Sequence, residues 1–183
     1  MISIRRSWKR RPCTACNRCT ALPEAAEVAR VLSLWQSLSR RPLGAWFFSQ
    51  AVCWKAPYFG SISPRFTRLE PGRCEAVIHD RHKLHNHIGS VHAIALCNLA
   101  ELTAGVMTDA SLPPGMRWIP KSMFVQYLKK AKGTLRGIAT PAIAIVASDT
   151  GYDLPVDVAV LDATGDKVFA AQITMWLSPT PKR

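Results

Sequence analysis

The sequence predicts an α+β fold in which one curved antiparallel sheet wraps a single long central helix, preceded by two short helices. Three observations carry that prediction. Over residues 91–108, Val91, Ala95, Leu99, Leu102 and Val106 recur at the three- and four-residue spacing of one helix face. Between His92 and Asp109 the only charged side chain is Glu101, and a helix so poor in charge is buried on most of its circumference. A hairpin precedes this helix and four strand-like runs follow it, so one sheet must curve around one helix.

In chain order, Leu22-Pro23-Glu24 opens a helix with Glu24 and Glu27 in its first turn. Val28, Val31, Leu32, Trp35 and Leu38 share one face of that helix, and Arg40-Arg41-Pro42 ends it. A second short helix spans 43–54, with Trp46, Phe47 and Val52 apolar; Trp35 and Trp46 are expected in the core. Both helices are read as packing elements. Residues 63–69 alternate as a half-buried strand, Glu70-Pro71-Gly72-Arg73 turns, and 74–78 returns. After the long helix, Pro113-Pro114-Gly115 closes the region. Strands are then expected at 123–128, at 135–139 with an extension towards 147, at 156–161 and at 167–177, forming a four-strand meander. Asp162-Ala163-Thr164-Gly165-Asp166 is the turn between the last two. The expected division is a basic, disordered tail over 1–23, a helical lead-in over 24–56 and one domain over 57–183.

At 183 residues the chain can bury a full core, and no apolar run approaches the roughly 18–20 residues of a membrane span. With no apolar stretch after the basic start, a secretory leader is not expected and a cytoplasmic protein is. The net charge of +12 is uneven: residues 1–23 carry six basic groups and no acid. Such an excess favours anionic partners, coenzyme phosphates as well as nucleic acid, the latter expected only through the tail. Cys13, Cys16 and Cys19 have the spacing of a ferredoxin-type cluster motif, but Pro23 stands where the fourth ligand would be. Cys53, Cys74 and Cys97 sit among apolar neighbours and read as core. His79, His82, His85 and His87 form neither a helical HExxH pair nor a zinc set, so no metal is expected.

The segment His85-Asn86-His87-Ile88-Gly89-Ser90-Val91-His92-Ala93 sets polar groups and a glycine turn against a helix start. Unpaired N–H groups and the helix dipole suit such a start to a carbonyl oxygen that gains charge during acyl chemistry. Glu101 supplies a carboxylate able to activate water. Residues 58–179 resemble the hotdog-fold thioesterase superfamily, most closely its phenylacetate-pathway acyl-CoA thioesterases and their bacterial relatives. Asn86 to Ile94 resembles the family pattern N-x-x-G-[ST]-x-H-G-G, with Glu101 at the family's catalytic carboxylate position. Met123-Phe124-Val125-Gln126-Tyr127-Leu128 resembles the strand after the helix, with Tyr127 at its aromatic position.

The resemblance implies that Asn86 positions water or thioester, the Ala93 N–H polarises the carbonyl, and Glu101 is base or nucleophile. Gly89, Ser90, His92 and Ile94 would shape the substrate site, and His92 the helix start in particular. Lys129 and Lys130, with Lys132 and Arg136, read as a solvated hairpin end where coenzyme A phosphates can dock. Trp118 is a candidate wall of an acyl pocket. The chain departs from the pattern at Ala93-Ile94, which replace two glycines. It departs again at Pro120, near a position where relatives carry a hydroxyl, with Ser122 close but out of register.

Eight residues separate Ala93 from Glu101, about 12 Å along one helix and about 80° around it. Both can act on one carbon only if they come from two protomers, so an active form is an obligate homodimer or a dimer of dimers. The expected activity is hydrolysis of an acyl-CoA thioester, with no cofactor beyond the coenzyme A of the substrate. The alternatives are acyl-CoA binding without turnover, acyl-chain hydration or dehydration by His85 or His87 with Glu101, and nucleic-acid or cluster binding through residues 1–23.

Overall fold

The computed structural model describes residues 28–181. The tail, its three cysteines and the helix start at Leu22–Glu24 lie outside the described residues.

Helices α1 (Val28–Ser39) and α2 (Gly44–Lys55) pack on each other, and a 3-10 turn (Pro57–Ile62) leads into the hairpin β1 (Arg65–Glu70) and β2 (Arg73–Ile78). Helix α3 (Ala93–Ser111) follows, then β3 (Met116–Tyr127), β4 (Leu135–Pro141), β5 (Tyr152–Leu161) and β6 (Lys167–Pro179). All six strands join one antiparallel sheet in the order β1-β2-β4-β5-β6-β3.

Alternation along β5 and β6 sends Leu154, Val156, Val158 and Val160, and Phe169, Ala171, Ile173, Met175 and Leu177, onto α3. The apolar stripe of α3 (Val91 just before it, then Ala95, Leu99, Leu102 and Val106) is buried beneath them. On the flank of α3 that the sheet leaves open lies the α1–α2 pair. Trp35 packs edge-on to Phe48, and Phe48 edge-on to Phe66 of β1, with ring centroids 5.1 and 5.2 Å apart. The Phe66 N–H donates to Ser49 Oγ at 3.0 Å, tying α2 to the first strand.

Four expectations are corrected. The last four strands are not a simple meander: β4, β5 and β6 are, whereas β3 pairs with β6 at the far edge. The connection from β3 back to β4 passes the N-terminal end of α3. Residues 128–134 cross there, held by the Val91 N–H donating to Ala131 O at 2.9 Å. Strand β3 also begins at Met116, seven residues before its expected start, accommodating Pro120 beside a register shift between Pro120 and Ser122. Trp46 is exposed, because Phe48, Ser49 and Val52 hold the inward face of α2. Finally, of the three cysteines expected in the core only Cys74 is buried; Cys53 and Cys97 are half-buried, the Cys97 Sγ lying 3.3 Å from Tyr127 Oη.

Candidate active site

The loop before α3 is held by its own asparagine. Asn86 Oδ1 accepts from the N–H groups of Ile88 and Ser90, both at 3.1 Å, and Nδ2 donates to Ser90 Oγ at 2.9 Å. Gly89 turns the chain at φ +68°, a conformation that side chains rarely adopt, and its N–H donates to Asn86 O. Ser90 is buried, and the His92 N–H donates to Leu84 O at 2.7 Å. Thus the asparagine carbonyl is used by the loop, which leaves one Nδ2 hydrogen for anything outside it.

At the helix start His92 is the N-cap, with Nδ1 accepting from the Ile94 N–H at 3.1 Å. The Ala95 N–H reaches His92 O at 2.9 Å. Of the first-turn donors, that leaves the Ala93 N–H without a partner among the described residues, at the positive end of a 19-residue helix. Ile94 beside it is exposed.

Glu101 lies two turns further on, half-buried, with no hydrogen bond or ion pair among the described residues. It borders two spaces. One is an open depression of about 210 Å3 shared with Pro120, Lys121, Ser122, Met123 and Ile173. The register shift in β3 brings Ser122, with its hydroxyl, to the same depression as the carboxylate. The other is a cavity of about 310 Å3 between α3, β3 and the α1–α2 pair, lined by Val31, Val52, Phe59, Val106 and Trp118 among others. Leading helices that read as packing elements therefore supply a cavity wall.

Asp109, which the sequence reading passed over, closes part of this cavity. Burial pushes its carboxyl above the usual aspartate value, against the Trp118 indole, which donates to Oδ1 at 2.6 Å, and the nearby Lys55 charge. The available signal was its place eight residues after Glu101 on the same helix.

Other candidates fall elsewhere. His85 Nε2 is hydrogen-bonded to Asp80 Oδ1, and the Gly133 N–H donates to the other carboxylate oxygen at 2.8 Å. These contacts hold the Asp80 carboxyl below the usual range, the histidine bond contributing most. His79 Nδ1 meets Thr134 Oγ1 at 3.2 Å, and His87 is exposed. Among the described residues no three His, Cys, Asp or Glu side chains are grouped to hold a metal. Lys129 pairs with Asp166 at 2.7 Å, and Lys130 next to it is exposed. The half-buried thiol of Cys97 helps push the Tyr127 phenol up to about 12.

A family model described as "Domain of unknown function (DUF4442)" matches residues 44–177. The chain belongs to this family. A structural-genomics crystal structure is 42% identical with a TM-score of 0.70, covering 84% of this chain and 99% of its own. A Pseudomonas aeruginosa protein of unknown function, described as a probable thioesterase, is 22% identical with a TM-score of 0.63, covering 72% of this chain and 93% of its own. A Streptococcus mutans protein solved with acetyl-CoA bound is 22% identical with a TM-score of 0.54, over 64% of this chain and 90% of its own. No curated protein matches. The sheet wrapped around α3 is the hotdog fold of thioesterase-family structures. No helix among the described residues is long and apolar enough to cross a membrane.

Proposed function

We propose that this chain is an acyl-CoA thioesterase that works as a cytoplasmic homodimer. The observation that carries the reading is the position of Glu101, a carboxylate with no partner among the described residues, between an apolar cavity and an open depression. An acyl chain fits the first and the thioester with its pantetheine arm the second. The Glu101 carboxylate takes a proton from water as the water oxygen bonds to the carbonyl carbon. The carbonyl oxygen becomes negative beside the Ala93 N–H of the other protomer, the C–S bond then breaks, and the sulfur leaves as the coenzyme A thiolate. About 12 Å of helix between Ala93 and Glu101 calls for two chains. Strand β3 suits their junction: it is a sheet edge with Ile119, Phe124 and Tyr127 at least half exposed. Lys130, beside the Lys129–Asp166 pair, is placed to meet coenzyme phosphates. No metal or redox group is called for.

Acyl-CoA binding without turnover is the second reading, favoured by the use of Asn86 within its own loop and by Ile94 at the helix start. Hydration by His85 with Glu101 is disfavoured, since His85 is bonded to Asp80.

Free-thiol release from short, long and aromatic acyl-CoAs tests the proposal. Glu101→Gln is expected to cut turnover by roughly a hundredfold or more in a protein that stays folded. Turnover indifferent to that substitution would sink it, and binding without turnover in the native chain would establish the second reading.

A further inference from the structure

The cavity beside Glu101 has two distinguishable ends. Glu101 and Pro120 line both the cavity and the depression, so the two spaces meet there. Asp109 lies at the other end, eight residues or about 12 Å along α3. Between them the helix presents Gly105, and Trp118 of β3 covers that stretch. A Cβ on Gly105 would stand 2.9 Å from the tip of the Trp118 ring, closer than real contacts allow, so the indole rests on the helix only because no side chain is there. Its far side is fixed by the 2.6 Å hydrogen bond from Nε1 to Asp109 Oδ1. A glycine below and a buried carboxylate beside it thus hold a large ring as a wall of an apolar cavity. At the roughly 30 Å3 that a water-sized group occupies, a cavity of about 310 Å3 takes about ten such groups.

We propose that this cavity receives the acyl chain and that Trp118, seated on Gly105 and fixed by Asp109, sets the chain length accepted. The substrate class is then an apolar acyl group of about ten non-hydrogen atoms, a medium straight chain or a phenyl-bearing chain of that size. This rests on the thioesterase reading for the identity of the ligand. Longer chains meet the indole, which cannot swing aside without breaking its hydrogen bond to the buried Asp109 carboxylate. Shorter chains leave apolar wall unfilled and gain less from burial. Trp118 and Asp109 touch no reacting atom; the ring selects and the carboxylate positions the ring.

The test pairs two substitutions with opposite expected effects and reads them in two ways. Thiol release is measured across straight-chain acyl-CoAs from butanoyl to hexadecanoyl, and equilibrium binding across the matching S-alkyl-CoA thioethers, which cannot be hydrolysed. The native chain is expected to show an optimum at medium length in both. Trp118→Ala is expected to move the optimum about four carbons longer, the room an indole vacates at that volume per group. Gly105→Ala, whose Cβ would push the ring off the helix, is expected to move it shorter by crowding the cavity. The KM for long chains should fall in Trp118→Ala with kcat little changed. If the thioether optimum moves as expected while no thiol is released from any acyl-CoA, the length assignment stands and the hydrolytic reading falls. If thiol is released but neither substitution moves the optimum, or if all lengths are treated alike, the length assignment is overturned and hydrolysis is untouched.

Discussion

At the start of α3 an imidazole does what an asparagine or serine side chain does at most helix starts. His92 Nδ1 accepts from the Ile94 N–H, so the ring must carry its proton on Nε2, and the Ala93 N–H is left as the donor pointing out of the helix. His92→Ala removes the acceptor and is expected to cost about 1 kcal/mol, seen as a lower urea midpoint, whereas His92→Asn should restore most of it. A larger loss in both variants would show that the ring packs rather than caps. Asp109 at the other end of the helix behaves differently, because burial holds its carboxyl above the ordinary value. The folded chain therefore grips this proton more tightly than the unfolded one. Stability from this group is greatest below the ordinary aspartate pKa of about 3.9, falls as pH climbs from there to the raised value, and is level beyond it. Asp109→Asn keeps an oxygen for the Trp118 N–H and removes the charge. It is expected to raise Tm at neutral pH, with the gain shrinking to nothing in acid below that ordinary pKa. An unchanged difference across the titration would mean that the carboxylate carries no burial penalty.

Elements show where the amino-acid pattern is informative and where it is not. The face of α3 was legible because its spacing is local, the stripe from Val91 to Val106 being buried, whereas α2 has nearly its expected bounds, Gly44–Lys55 against 43–54, but buries Phe48 and Ser49 in place of the expected Trp46. The first half of β3 was hidden by Pro120, which argues against a strand unless it lies at an edge or a bulge, and here both hold. Its neighbour was hidden too, because alternation fixes which face of a strand is buried but not which strand lies beside it. Pairing Met116 with Pro179 joins residues far apart in the chain. The depression at Glu101 depends on that pairing, since Ser122 and Met123 of β3 meet Ile173 of β6 there, while the loop at Asn86–Ser90 is made of neighbours in the chain. The α1–α2 turn has a local requirement of its own. A Cβ on Gly44 would lie 1.7 Å from Leu38 O, with Leu43 before it at φ 59°. Gly44→Ala is accordingly expected to force the two helices apart at a cost of about 3 kcal/mol. It should also blunt chain-length preference, because α1 and α2 wall the cavity, while α3 keeps its position in the sheet. Urea unfolding measures the first effect and the acyl-CoA series the second; a native midpoint would show that the turn relaxes freely.

For the whole molecule, the decisive length is the one along α3. An N–H at Ala93 and a carboxylate at Glu101 sit on one rigid rod about 12 Å apart, and no bending of a helix buried by a six-stranded sheet brings them together. The proposed dimer resolves this by setting the start of one rod against the middle of another. Strand β3 is where such a junction would form, since β6 satisfies one edge and the other has no strand beside it among the described residues and carries exposed apolar side chains. Phe124 is 67% exposed and outside both the loop and the cavity, so a charge there should disturb association and nothing else. Phe124→Lys is expected to sediment as a monomer with native circular dichroism and an unchanged preference of S-alkyl-CoA thioethers for medium length. Its thiol release should fall roughly a hundredfold or more, the scale of losing one oxyanion donor. The two readouts part company if the site is not shared. A folded monomer with full turnover would place both steps of the chemistry in one chain and remove the reason for pairing Ala93 with a second Glu101. A dimer that survives the lysine would move the junction away from β3 while leaving the helix geometry, and the need for two chains, as it stands.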